Sequence, residues 1–99
     1  MLYMIVGQVR PDSAARREAA RPDHLQRLQT LLDQGRLVLA GPCPAIDSPD
    51  PGLAGYSAGL IVAEFSSLTE ATAWAHNDPY VYANVYQDIV VRPFRQALP

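Results

Sequence analysis

REAARPDHLQRLQTLLDQ, residues 17–34, is written with a helical period. At about 100° per residue, Ala20, Leu25, Leu28, Leu31 and Leu32 fall on one arc, and Asp23, Gln26, Arg27, Gln29, Thr30, Asp33 and Gln34 fall on the other. His24 projects between Ala20 and Leu28, inside the apolar arc, where a helix normally presents only packing atoms. A titratable ring there is either a satisfied core histidine or the working residue of a pocket. Pro22 interrupts the pattern. It predicts a kink, or a boundary between a short first segment and the main helix. In the second case His24 lies in a first turn, beside backbone N–H groups that favour negative charge.

On the N-terminal side, Leu2–Val9 reads as a strand, apolar on both of its alternating faces. A turn at Pro11-Asp12-Ser13 leads into the helix. On the C-terminal side, Gly35 suits the helix end and Leu37–Ala40 is a short second strand. Residues 41–58, with Pro42, Pro44, Pro49 and Pro51, read as a long connection of the kind that is often functional. A third strand covers Gly59–Phe65. Ser67-Leu68-Thr69-Glu70 has the spacing of a capping box. The helix after it presents Leu68, Ala71, Trp74 and Ala75 for packing, and must stop near Asn77 because Asp78 precedes Pro79. Val85–Arg92 is the last strand, ended by Pro93. The order βαββαβ predicts a ferredoxin-like α+β fold, a four-stranded antiparallel sheet with two helices on one face. The second apolar face of the first strand wants cover, which predicts a homodimer with sheets packed together. Further association of dimers stays open.

Composition narrows the function. Ninety-nine residues, 48% hydrophobic and 18% charged, make one domain over residues 1–99 with one modest core. A net charge of −2 and the lack of a basic run argue against nucleic acid as a partner. No window approaches the roughly 20 apolar residues of a membrane span, and the start of the chain does not read as a secretion signal. A lone Cys43 offers no internal disulfide. A cytoplasmic protein is the expectation.

For chemistry, the partner proposed for His24 is Asp78, held at the end of the second helix by Pro79, with Tyr80 next to it. A carboxylate on one imidazole nitrogen fixes the tautomer and frees the other nitrogen to move a proton. The competing reading of Asp78 is a helix-end residue that caps backbone. Arg17 and Arg21 suit an anionic substrate group, or are solvated helix charges. Ser48 either lines a pocket or serves turn chemistry in Asp47-Ser48-Pro49-Asp50. Cys43 lacks a histidine at a nucleophile's spacing, and His24 and His76 lack zinc-ligand spacing, so no metal is expected. Tyr3, Tyr56, Tyr80, Tyr82 and Tyr86 supply aromatic surface, more often packing than recognition. Nothing has the spacing of a phosphate cradle.

Several segments together carry a family resemblance: Arg21-Pro22-Asp23-His24-Leu25, Gly35-Arg36-Leu37, Ala40-Gly41-Pro42, Ala45-Ile46-Asp47-Ser48, Ala63-Glu64-Phe65, Trp74-Ala75, Asp78-Pro79-Tyr80 and Val91-Arg92-Pro93-Phe94. They span almost the full length, in order, and the chain resembles the YciI-like (YCII-related) family of the dimeric α+β barrel superfamily. The resemblance implies a ferredoxin-like protomer, a homodimer, and an active site built around a histidine–aspartate pair, here His24 and Asp78. The superfamily also resembles muconolactone isomerase, and one relative of the family removes chloride from chlorinated hydroxyquinol-type aromatics. Two departures stand out: Cys43 between Pro42 and Pro44, and a tail after Phe94 whose only charge is Arg95. The expected function is a small enzyme without metal or organic cofactor. His24 and Asp78 would be catalytic, with Arg21, Ser48 and Tyr80 binding a small, aromatic or lactone-type substrate for isomerisation or elimination. The alternative is a non-catalytic ligand-binding or regulatory dimer on the same fold.

Overall fold

The computed structural model describes residues 1–99. Its elements run β1 (Leu2–Val9), α1 (Ala14–Asp33), β2 (Leu37–Pro44), a 3₁₀ turn (Gly52–Ala54), β3 (Tyr56–Glu64), α2 (Leu68–His76), α3 (Pro79–Tyr82) and β4 (Tyr86–Phe94). The four strands form one antiparallel sheet in the order β2-β3-β1-β4. This is the expected ferredoxin-like α+β arrangement. The strict alternation of β1, with Tyr3, Ile5 and Gly7 buried, sets one face against the helices. Tyr3, Ile5, Ile61, Ala63 and Phe65 meet Leu28 and Leu31 of α1 and Ala71 and Ala75 of α2 there, forming the core.

Helix α1 departs from expectation at its start. It begins at Ala14 and runs unbroken through Pro22, so His24 stands in its interior and not in a first turn. Pro22 is tolerated because residues 18 and 22 face solvent, where water can serve the Glu18 carbonyl that loses its helical donor. The buried stripe is also narrower than the predicted arc. His24, Leu28 and Leu31 are buried, whereas Leu25 and Leu32 are exposed. In α2, Ser67 Oγ accepts from the Glu70 amide at 3.1 Å, one half of the expected capping box. Ala71 and Ala75 are buried as expected, but Leu68 is exposed.

The predicted long connection shrinks from both sides. Strand β2 continues through Pro42 to Pro44, and β3 begins at Tyr56, which leaves residues 45–55 between them. Prolines inside a strand are permitted here because β2 lies at the sheet edge. Pro93 likewise lies within β4, the other edge strand, and does not end it. No helix is long and apolar enough to cross a membrane. Opposite the helices, Leu2, Met4, Val6, Leu60 and Val90 make an apolar, partly exposed sheet face.

Candidate functional site

Asp78 closes α2 and opens α3. Pro79 forces its backbone into extended geometry (φ −67°, ψ 140°), ending the first helix and preparing the second. Its Oδ1 accepts from the Tyr80 amide at 2.9 Å, so it is indeed a backbone cap. The same carboxylate also lies 2.9 Å, through each oxygen, from His24 Nδ1. Asp78 thus caps backbone and lies against the His24 ring at the same time. A carboxylate facing Nδ1 favours the proton on that nitrogen, so in the neutral ring it is Nε2 that carries the lone pair. Asp78 is 2% exposed and His24 8%, so the pair is shielded from water on nearly every side.

A third group completes the arrangement. Arg27 donates to Asp78 Oδ2 at 3.4 Å and to the Trp74 carbonyl at 2.8 Å, with its guanidinium 4.2 Å above the Trp74 ring. Sequence periodicity assigned Arg27 to the polar, outward arc, yet it is half-buried against α2. The signal was present in the spacing: Arg27 is three residues after His24, and such residues neighbour one another on a helix. A buried carboxylate with a guanidinium, an imidazole N–H and a backbone N–H around it is compensated in the way burial demands.

The imidazole is stacked on Tyr80, with ring centroids 4.0 Å apart and planes 12° from parallel. Both rings line a cavity of about 230 Å³ together with Arg17, Arg21, Leu28 and Tyr86. Arg17 sits 4.4 Å over the Tyr56 ring and 5.7 Å from that of Tyr80. No aspartate or glutamate lines this cavity, so its charged side chains are the two arginines. The Tyr80 hydroxyl is buried without a hydrogen-bond partner, and burial pushes that phenol above its ordinary range, with Arg17 and Arg21 opposing. The cavity therefore collects donors and cations, and the ligand it suits is an anion.

Of the residues selected from sequence, His24, Asp78, Tyr80 and Arg21 come together. Ser48 does not. Its Oγ bonds to the Asp50 backbone at 3.2 Å within the β2–β3 connection, away from the cavity, and serves turn chemistry there. No group of three or more His, Cys, Asp or Glu side chains is placed to hold a metal ion. Tyr86, treated from sequence as packing surface, is a cavity wall.

Known proteins place this geometry in context. The chain is 53% identical to Protein YciI of Escherichia coli O6:H1 over 96 residues, which cover 97% of this chain and 98% of the relative. It is 44% identical to an uncharacterized protein of Haemophilus influenzae over the same length. Among solved structures, 5-chloro-2-hydroxyhydroquinone dehydrochlorinase (TftG) from Burkholderia phenoliruptrix AC1100, in complex with 2,5-dihydroxybenzoquinone, is similar in fold. The TM-score is 0.83 at 21% identity, over 98% of this chain and 96% of that one. The sequence profile of the YCII-related domain matches residues 1–95, and the chain belongs to the YCII-related family.

Proposed function

We propose that this chain is a cofactor-independent enzyme that moves a proton next to a carbonyl in a small anionic metabolite. The observation that carries the reading is the buried contact of 2.9 Å between Asp78 and His24 Nδ1, on a ring that lines the cavity. Nε2 takes a proton from carbon, and the imidazolium so formed is stabilised by the Asp78 carboxylate. The electron pair released at carbon passes to the carbonyl oxygen. Return of the proton to a different carbon completes an isomerisation; departure of a leaving group such as chloride completes an elimination. Arg21 and Arg17 hold the substrate's negative charge, and Tyr80 supports the imidazole from below. The cavity, at about 230 Å³, suits one substituted ring; a cavity of about 150 Å³ already accepts benzene.

The similar fold of a dehydrochlorinase makes chloride release from 5-chloro-2-hydroxyhydroquinone the first assay, with 2,5-dihydroxybenzoquinone as the binding probe. Replacing His24 by Ala should lower turnover by about 10²–10⁴-fold, the usual contribution of a positioned base, while the probe still binds. A His24→Ala protein that keeps its turnover, or a wild type that binds the probe but turns over neither chlorinated phenols nor lactones, would leave the non-catalytic binding module as the better reading. The apolar outer sheet face supports the further proposal that the enzyme works as a homodimer. Its sedimenting mass should then be twice 10.8 kDa; a monomer at micromolar concentration would refute this.

A further inference from the structure

Strand β4 contains an irregularity that bears on the site. Asp88 pairs with Gln8 and Tyr86 pairs with Val9, so Gln87 is an extra residue with no partner on β1. Counting back from the inward-facing Val91 and Ile89, regular alternation would turn Gln87 toward the helices and Tyr86 away. The bulge reverses this: Gln87 is exposed and Tyr86 is buried on the helix side. What Tyr86 meets there is equally specific. Gly7 and Gly59 are cross-strand partners on β1 and β3. A Cβ at Gly7 would lie 2.5 Å from the Tyr86 ring, and one at Gly59 would lie 2.6 Å from its hydroxyl oxygen. The ring thus lies flat over a strip of bare backbone, edge-on to Tyr80 with centroids 5.4 Å apart, and the hydroxyl is carried across two strands into the cavity. None of the chain's side-chain hydrogen bonds involves it.

Three features, a bulge and two glycines, therefore converge on the placement of one phenol oxygen. The ring also packs with Tyr80 and Val85, but packing alone does not call for a hydroxyl at the cavity. We propose that Tyr86 is a catalytic residue of this site, whose hydroxyl donates a hydrogen bond to the oxyanion of the bound substrate. The inference rests on the acid–base reading above: as His24 takes the proton from carbon, the negative charge gathers on the carbonyl oxygen, and Tyr86 meets it there. The proton stays on Tyr86, because burial and the nearby Asp78 and Tyr80 push its phenol far above the ordinary range, against a weaker opposing influence from Arg17. The ligand class this implies is an enolate or phenolate.

The test uses 4-nitrophenol, whose neutral and anionic forms are both available near neutral pH and differ in colour. Wild-type protein should bind the phenolate more tightly than the phenol. In Tyr86→Phe, which keeps the ring on its glycine floor, phenolate affinity should fall by about 10- to 100-fold, the worth of one charge-assisted hydrogen bond, with phenol affinity nearly unchanged. Gly59→Ala, which displaces the hydroxyl, should give the same pattern should Tyr86→Phe prove poorly folded. Equal phenolate affinity in folded Tyr86→Phe and wild type, equal losses for both forms, or no phenolate binding by wild type would each overturn the proposal. His24→Ala separates the two readings. It should retain the preference for phenolate if Tyr86 acts as described, whatever becomes of turnover.

Discussion

Asp78→Ala should lower the free energy of unfolding by about 3–5 kcal/mol, the range for breaking a buried ion pair by removing one partner. The deletion strands the His24 Nδ1–H and one arm of Arg27, and it removes the acceptor from the first turn of α3. At roughly 4–8 °C per kcal/mol for a chain of this size, the melting midpoint falls by at least about 12 °C, which differential scanning calorimetry reads directly. Asp78→Asn should lose less, because asparagine also caps a helix N-terminus while the charge that offsets Arg27 is gone. A midpoint within a few degrees of wild type in Asp78→Ala would show that the carboxylate is not the hub described.

The second large effect is expected at Gly7→Ala. The new methyl would stand 2.5–2.6 Å from three carbons of the Tyr86 ring, so the ring or the strand must shift to accommodate it. Overpacking of this kind costs about 1–3 kcal/mol on its own. Turning the ring out to solvent adds the loss of burial for a side chain of roughly 150–250 Å². Gly7→Ala should therefore destabilise by at least about 3 kcal/mol in urea unfolding. Gly41→Ala is the control: it also lies in a strand, but its added methyl meets nothing within 4 Å. Its effect should stay within about 0.5 kcal/mol. Equal behaviour of the two variants would remove the glycine floor from the description of the site.

The sequence was most legible where local chemistry and periodicity agreed. Strand β1, the Ser67 cap and the stop before Pro79 lie where their residues require. His24 was legible as a candidate because a titratable ring inside an apolar arc is either a satisfied core histidine or the working residue of a pocket. Asp78 was a weak candidate from its fixed place before Pro79 and a firm one only with the family resemblance, since nothing in a linear spacing shows that the end of α2 meets the middle of α1. The ends of β2 and β3 were misplaced because proline normally stops a strand, and that rule weakens at a sheet edge that sequence cannot identify. Arg27 was hidden by its polarity, because a periodicity argument sends every charge to solvent. Tyr86 was hidden by the bulge, since one extra residue inverts which side chains face inward. The unusual pair Gly7 and Gly59, in the middle of two strands, was the available signal that something approaches the backbone closely.

The prolines of the sheet have a further consequence for how this chain behaves in a crowded solution. Both outer strands carry them, Pro42 and Pro44 in β2 and Pro93 in β4, and each removes a backbone N–H that a newly arriving strand would need. Neither rim offers an uninterrupted ladder of donors, so the sheet resists lengthening by the addition of foreign strands. Val38 and Leu39, apolar and exposed, lie on one of these proline-bearing edges. The same stretch that disguised a strand as a loop is what keeps that strand from recruiting others.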